Sequence, residues 1–342
     1  MGNSGASATI SDFLAIRWSG IEGPLIEPPR FSPIIADPSF LFPEETPSGA
    51  WELFAHSAWG IHRYSSAEGV KWLDHGLVVR NAMRPFVRKI TGFGADRENP
   101  QGGEFANSPY FLLYEAYPPF ALALTALPGR RKWRSHIALS KSADLKSWSR
   151  PSIAARAGLP WMRDPDLGES VSNPCLVQDQ EGQWRLYHSA SLSWIEDCGF
   201  CEPRYIACAT GPSPSGPFLS LPEPLIDPAR DPMPGVLGSG SLKAVQLADG
   251  WIGLQNKIYR DREGRSRSAI FLLSSPDGLA WNLARAEPLL APVAGWTSSH
   301  IYACDCRFRV EDSLWYLYFN ARDGWNLKSG VERIGRIVGQ NR

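Results

Sequence analysis

The sequence predicts an all-β chain folded as a five-bladed β-propeller, and two periodic phrases carry that prediction. Ser274–Trp281 reads SSPDGLAW, and close versions recur as Ser65–Trp72 (SSAEGVKW), Ser140–Trp148 (SKSADLKSW) and, more loosely, Thr210–Phe218 (TGPSPSGPF). The closing aromatics Trp72, Trp148, Phe218 and Trp281 lie 76, 70 and 63 residues apart, a period that suits a unit of about four strands. Short aromatic runs keep step with these turns and end in one polar residue: WELFAH at His56, YFLLYE at Glu115, WRLYH at His188, WIGLQN at Asn256 and WYLYFN at Asn320. That makes five units. Each is too small to hide its own faces, and radial packing covers both faces of every sheet.

Composition agrees. The 342 residues are 43% hydrophobic and 20% charged, enough for a large core, and no linker or charge run divides them. Aromatics at 11%, with 31 Gly and 29 Pro spread throughout, suit short strands and tight turns rather than helical bundles. One propeller is therefore expected over residues 31–342, preceded by an arm, residues 1–30, that helps close the ring.

Thirty-five basic and 35 acidic side chains cancel, so no electrostatic footprint for nucleic acid or anionic lipid exists. A neutral small molecule is the expected partner. MGNSGASATI has no basic and then apolar leader, Ala6 breaks the myristoylation pattern, and nowhere do 18 apolar residues run together, so the expected setting is cytoplasmic, away from membranes. There is no GxGxxG, GxxxxGK[ST], HExxH or GxSxG pattern, and no cofactor is expected. Of six cysteines, Cys198/Cys201 (CGFC) and Cys304/Cys306 (CDC) form two pairs about a hundred residues apart, a weak zinc signal. Reduced thiols without a metal are expected.

The SxDGxxW phrase is read as the turn between the two outer strands of a blade, with Asp or Ser setting the turn, Gly at positive φ and Trp packing back. The inner strand of each blade then precedes its aromatic run. Counting back fifteen residues from the polar ends gives Asn173, Ser241 and Asp305. ADPSFLF supplies Asp37 in blade one, and MRPFV supplies Arg84 in blade two, which also carries a long insertion at 89–108. The predicted ring is Asp37, Arg84, Asn173, Ser241, Asp305.

ADPSFLF, NPCLVQDQEGQWRLYHSAS, RYIACATGPSPSGPF and SSPDGLAW resemble the five-bladed glycoside hydrolases of family 43 and their relatives in families 32, 117 and 130, over Phe31 to the C-terminus. The resemblance implies an Asp base opening blade one, a second Asp opening blade three and a Glu acid opening blade four. Asp37 meets the first position. Asn173 in SNPCL and the carboxylate-free GSGSLK (Gly238–Lys243) depart from the other two.

Inverting hydrolysis needs one ionised carboxylate to activate water and one protonated carboxyl to serve the leaving oxygen. Asp37 is the candidate base, and Asp305, Glu169 in GESVSNP and Glu115 are candidate acids. Candidate substrate contacts are Arg84, Asn173, His188, Ser241, His300, Asn320 and Arg322, with Trp59, Trp161, Trp194 and Trp325 just past strand ends, where rings overhanging the cavity would stack on sugars. The polar strand ends also read as satisfied residues at the pocket rim, Asp37-Pro38 also reads as a turn cap, and Arg84 also reads as a partner for Asp37. Three functions stay open: an inverting glycosidase; a phosphorylase or transferase in which Arg84 and Arg322 hold an anion; and a propeller that binds a glycan without turnover.

Overall fold

The computed structural model describes residues 8–90, 108–122, 132–326 and 328–341; most of the blade-two insertion lies outside them. Twenty strands group into five four-stranded antiparallel units. Blade one is Ala36–Leu41, Trp51–Ser57, Gly60–Ser66 and Leu73–Arg80; blade two is Ala82–Lys89, Tyr110–Ala116, His136–Ser142 and Ser152–Ala155. Blade three is Val171–Gln178, Trp184–Ile195, Phe200–Gly211 and Leu219–Ser220; blade four is Leu242–Leu247, Gly250–Arg260, Ser266–Ser275 and Asn282–Leu283. Blade five is His300–Arg309, Leu314–Arg322 and Glu332–Gln340, completed from the N-terminal arm by Arg17–Trp18, with Arg17 opposite Gln340. First strands touch in the order one, two, three, four, five, and the fifth touches the first. The chain is thus an all-β propeller. Among the described residues no helix is long and apolar enough to cross a membrane.

The repeated turn joins the third and fourth strands of a blade. Ser275 Oγ accepts from the Gly278 N–H at 2.9 Å, Asp277 accepts from the N–H groups of Leu279 and Ala280, and Gly278 sits at φ +73°. Gly69 takes the same conformation at φ +72°, with its N–H on Ser66 Oγ. The turn also docks on its neighbour. Tyr187 of blade three donates to the Gly278 carbonyl at 2.9 Å, and Tyr318 of blade five donates to the Gly69 carbonyl at 2.7 Å. Trp281 meets Tyr187, Trp72 meets Tyr318, and Trp148 meets Phe54 of blade one, each edge-on. The phrase repeats because it is the fastening between adjacent blades.

The inner strands share a second device. Each of the first three opens on a β-bulge, with register slips between Ala36 and Ser39, Met83 and Phe86, and Ser172 and Cys175. At the bulge stand Asp37 (φ 51°), Arg84 (φ 56°) and Asn173 (φ 51°), each followed by Pro. Proline has no N–H to lose from the ladder, so a bulge accommodates it. In blade four Gly240 takes the left-handed position (φ +49°), and in blade five the register slips between Ile301 and Cys304, around Tyr302. The fixed count of fifteen therefore misses in the last two blades, because hairpin lengths differ. Ser241 lies one residue beyond the bulge position, and Asp305 three residues further along its strand.

Candidate active site

The polar strand ends explain themselves once the bulges are in view. His56 Nδ1 lies 3.3 Å from the Arg84 peptide nitrogen, Asn320 Oδ1 accepts from the Asp37 N–H at 3.1 Å, and Asn256 Nδ2 donates to the Ile301 carbonyl at 2.9 Å. In these three pairs a side chain ending the second strand of one blade holds the bulge of the next. His56 Nδ1 also faces Asp37 Oδ2 at 3.3 Å; it can accept from Arg84 or donate to Asp37, and not both. Burial, with the charge of Arg84, lowers the His56 pKa to about 3, so the ring is neutral.

Asp37, Pro38, Arg84, Pro85, Asn173, Lys243 and Ala303 line one pocket on the propeller axis. Burial raises the Asp37 pKa, while Arg84 and Lys243 oppose the rise. Arg84 is ion-paired to Glu115, whose carboxylate also accepts from Trp133 Nε1 at 3.1 Å and Ser170 Oγ at 3.3 Å. Glu115 is fully buried and committed to these donors, with Arg84 as the group it orients. Lys243 donates to the Pro174 carbonyl at 2.8 Å, and Asn173 reaches the Gly240 carbonyl at 3.4 Å.

Other expected site residues lie apart. Arg88 grips both oxygens of Asp305, at 2.7 and 2.9 Å, and Ser39 Oγ and the Phe40 N–H add two more donors. Burial would raise the Asp305 pKa, but the charge and hydrogen bonds of Arg88 prevail and hold it at about 2. A carboxyl so held carries no proton to donate at neutral pH. Glu169 is half-buried on a small side sheet and pairs with Arg163 at 3.1 Å. The buried guanidinium of Arg322 donates to the carbonyls of Gly324, Asn326 and Gly330, which leaves it little to offer an anion. His188 and His300 are buried and held neutral by that burial, with pKa values near 4 and 3; for His300 the Arg322 charge adds to the effect. Ser241 is buried, its carbonyl accepting from Asn256. Trp59 and Trp194 are partly open to solvent, whereas Trp161 and Trp325 are anchored through their indole N–H groups to Pro222 and Ser266.

No disulfide joins any of the six cysteines, all of which lie among the described residues; Cys198 Sγ sits 3.2 Å from Ser266 Oγ and 3.7 Å from His300 Nε2. Among the described residues no group of three His, Cys, Asp or Glu side chains is placed to hold a metal ion.

Two carboxyls escaped the sequence reading. Glu202 and Glu332 begin their segments on the same face of the ring, Glu202 near the start of the third strand of blade three and Glu332 at that of blade five. Third-strand starts share the axial face with first-strand starts and second-strand ends, and the polar residues in CEPRY and GVERIG were the available signal. Burial raises the Glu202 pKa to about 7, with Arg84 opposing and Asp37 adding. Burial likewise raises Glu332 to about 8, with Arg322 opposing and Asp37 and Glu202 adding. Glu332 accepts from Asn320 Nδ2. No described residue hydrogen-bonds the Glu202 carboxyl, which is 8% exposed.

No protein-family profile and no curated protein matches the sequence. Solved structures do. A thermostable family-43 glycoside hydrolase superposes at TM-score 0.57 and 14% identity, over 88% of this chain and 89% of that one. The catalytic domain of the GH62 alpha-L-arabinofuranosidase of Coprinopsis cinerea gives 0.61 and 16%, over 96% and 98%. An N-acetylgalactosamine deacetylase from F. plautii, in complex with blood group B trisaccharide, gives 0.59 and 12%, over 95% of each chain. At these identities the likeness defines the fold: a β-propeller of the kind seen in glycoside hydrolases. One fold hosts several chemistries, so the reaction is argued from the site.

Proposed function

We propose that this chain is a carbohydrate-active enzyme that cleaves a glycoside by direct displacement, with Asp37 as general base and Glu202 as general acid. The observation that carries the reading is a pair of electrostatically coupled carboxyls, Asp37 and Glu202, that share Arg84 as a neighbouring cation. Asp37 lines the axial pocket beside Arg84 and Lys243, whose charges favour its ionised form. Glu202 interacts electrostatically with Arg84 and Asp37, has no hydrogen-bond donor from the described residues and holds its proton to about pH 7. Burial raises both pKa values; at Asp37 the charges of Arg84 and Lys243 oppose the rise, whereas Glu202 keeps its proton to about pH 7. A base paired with an acid is what acid–base cleavage of a glycoside requires.

In the proposed step Asp37 takes a proton from water as the water oxygen bonds to the anomeric carbon. The glycosidic carbon–oxygen bond breaks, and the departing oxygen takes the proton of Glu202. Net proton return from Asp37 to Glu202 resets the site. Glu115 fixes Arg84, and Asn173 offers an amide to a sugar hydroxyl.

The test is a panel of aryl glycosides assayed with and without phosphate. Turnover without phosphate is expected, and Asp37→Asn should lower it by about 10²-fold or more, the range for a lost general base, with a smaller change in binding. Turnover that requires phosphate, or near-normal turnover by Asp37→Asn, contradicts the proposal.

A further inference from the structure

Asp37 is a non-glycine residue in the left-handed region, at φ 51°, a conformation that costs about 1–2 kcal/mol and persists only where neighbours impose it. Asn320 supports it through Oδ1, which accepts the Asp37 N–H at 3.1 Å. A carboxamide accepts on one side and donates on the other, so that orientation holds while Nδ2 has an acceptor. The acceptor is Glu332 Oε1. Glu332 Oε2 faces Arg322 Nη1 at 3.8 Å, and the Glu332 N–H donates to the Pro33 carbonyl at 2.9 Å, on the segment that leads into Asp37. Asn320 is fully buried.

We infer that Glu332 is a positioning residue acting through Asn320: by engaging Nδ2 it locks the amide so that Oδ1 holds the Asp37 backbone in the turn that presents its carboxyl to the axial pocket. The catalytic half of this inference rests on Asp37 being the base; the structural half does not. Without Glu332, nothing fixes which side of the amide meets the Asp37 N–H, and a flipped amide sets donor against donor. The charged and titratable groups around Glu332 are Arg322, Asp37, Glu202 and Tyr302. With its pKa raised to about 8 by burial, Glu332 serves largely as a neutral carboxyl, whose carbonyl oxygen still accepts. Glutamine preserves that oxygen.

Amide hydrogen exchange at Asp37, read by NMR on the labelled full chain, tests this without any substrate. Glu332→Gln should keep wild-type protection, whereas Glu332→Leu should lose about tenfold or more, the worth of one net hydrogen bond. Asn320→Ala, with Glu332 intact, should lose as much and serves where the leucine variant fails to fold. Turnover of Glu332→Leu should fall in kcat by about tenfold, with KM nearly unchanged and recovery in Glu332→Gln. Full protection in the leucine or alanine variant, or equal loss in the glutamine variant, overturns the tie. Lost protection with unchanged kcat overturns the positioning role. If Asp37→Asn itself leaves turnover intact, the base reading fails, and the exchange result stands by itself.

Discussion

Asp305 and Glu202 show how surroundings sort identical chemistry. Asp305 accepts four hydrogen bonds at the meeting of blades one, two and five, two of them from Arg88; Glu202 accepts none from the described residues. Asp305 is accordingly a clamp. Its folded pKa lies below the unfolded carboxylate value, so its contribution to stability is present above that value and is lost as pH falls toward about 2. Asp305→Asn should cost up to about 3–5 kcal/mol, because the largely buried Arg88 guanidinium is left without its counter-charge, and should flatten the acid side of the stability profile. Denaturant melts across pH check this, and a midpoint unmoved at pH 7 would contradict it. Asp37 was legible in the sequence because ADPSFLF announces a strand start. Glu202 was not, because its proton affinity comes from burial beside Arg84 and Asp37, residues more than a hundred positions away in the chain.

At the scale of the element, the turn phrase carries most of the fold's legibility. Its Ser, Asp and Gly are each dictated by a local hydrogen bond or a positive φ, so the pattern survives in the sequence wherever the turn survives. Even Leu145, at φ 64°, takes the left-handed position in blade two. The Gly278 position is tighter: a Cβ there would lie 2.6 Å from Tyr187 Oη. Gly278→Ala should therefore destabilise the protein by about 1–3 kcal/mol, combining left-handed strain with displacement of the Tyr187 hydrogen bond. A thermal melt equal to wild type would contradict the fastening role. The inner-strand register was less legible, since a fixed count assumes equal hairpins. Asn173 was found because the blade-three hairpin, turning between Gln178 and Trp184, matches the count; blade five runs on to Arg309 before turning to Leu314, which shifted the count from Tyr302 to Asp305.

Across the whole molecule, ring closure and the site share a strand. Glu332–Gln340 receives the N-terminal Arg17–Trp18 at its far end and supplies Glu332 to Asn320 at its near end. Three of the five polar strand ends, His56, Asn256 and Asn320, hold the bulge of the next blade, a purpose that needed the closed ring to be seen. The central claim is the division of labour between Asp37 and Glu202, and a leaving-group series on Glu202→Gln tests it most directly. An alkyl glycoside needs its departing oxygen protonated and should lose about 10²-fold or more, whereas a dinitrophenyl glycoside of the same sugar should turn over near the wild-type rate. An equal loss on both substrates, or no loss on either, would contradict Glu202 as the acid.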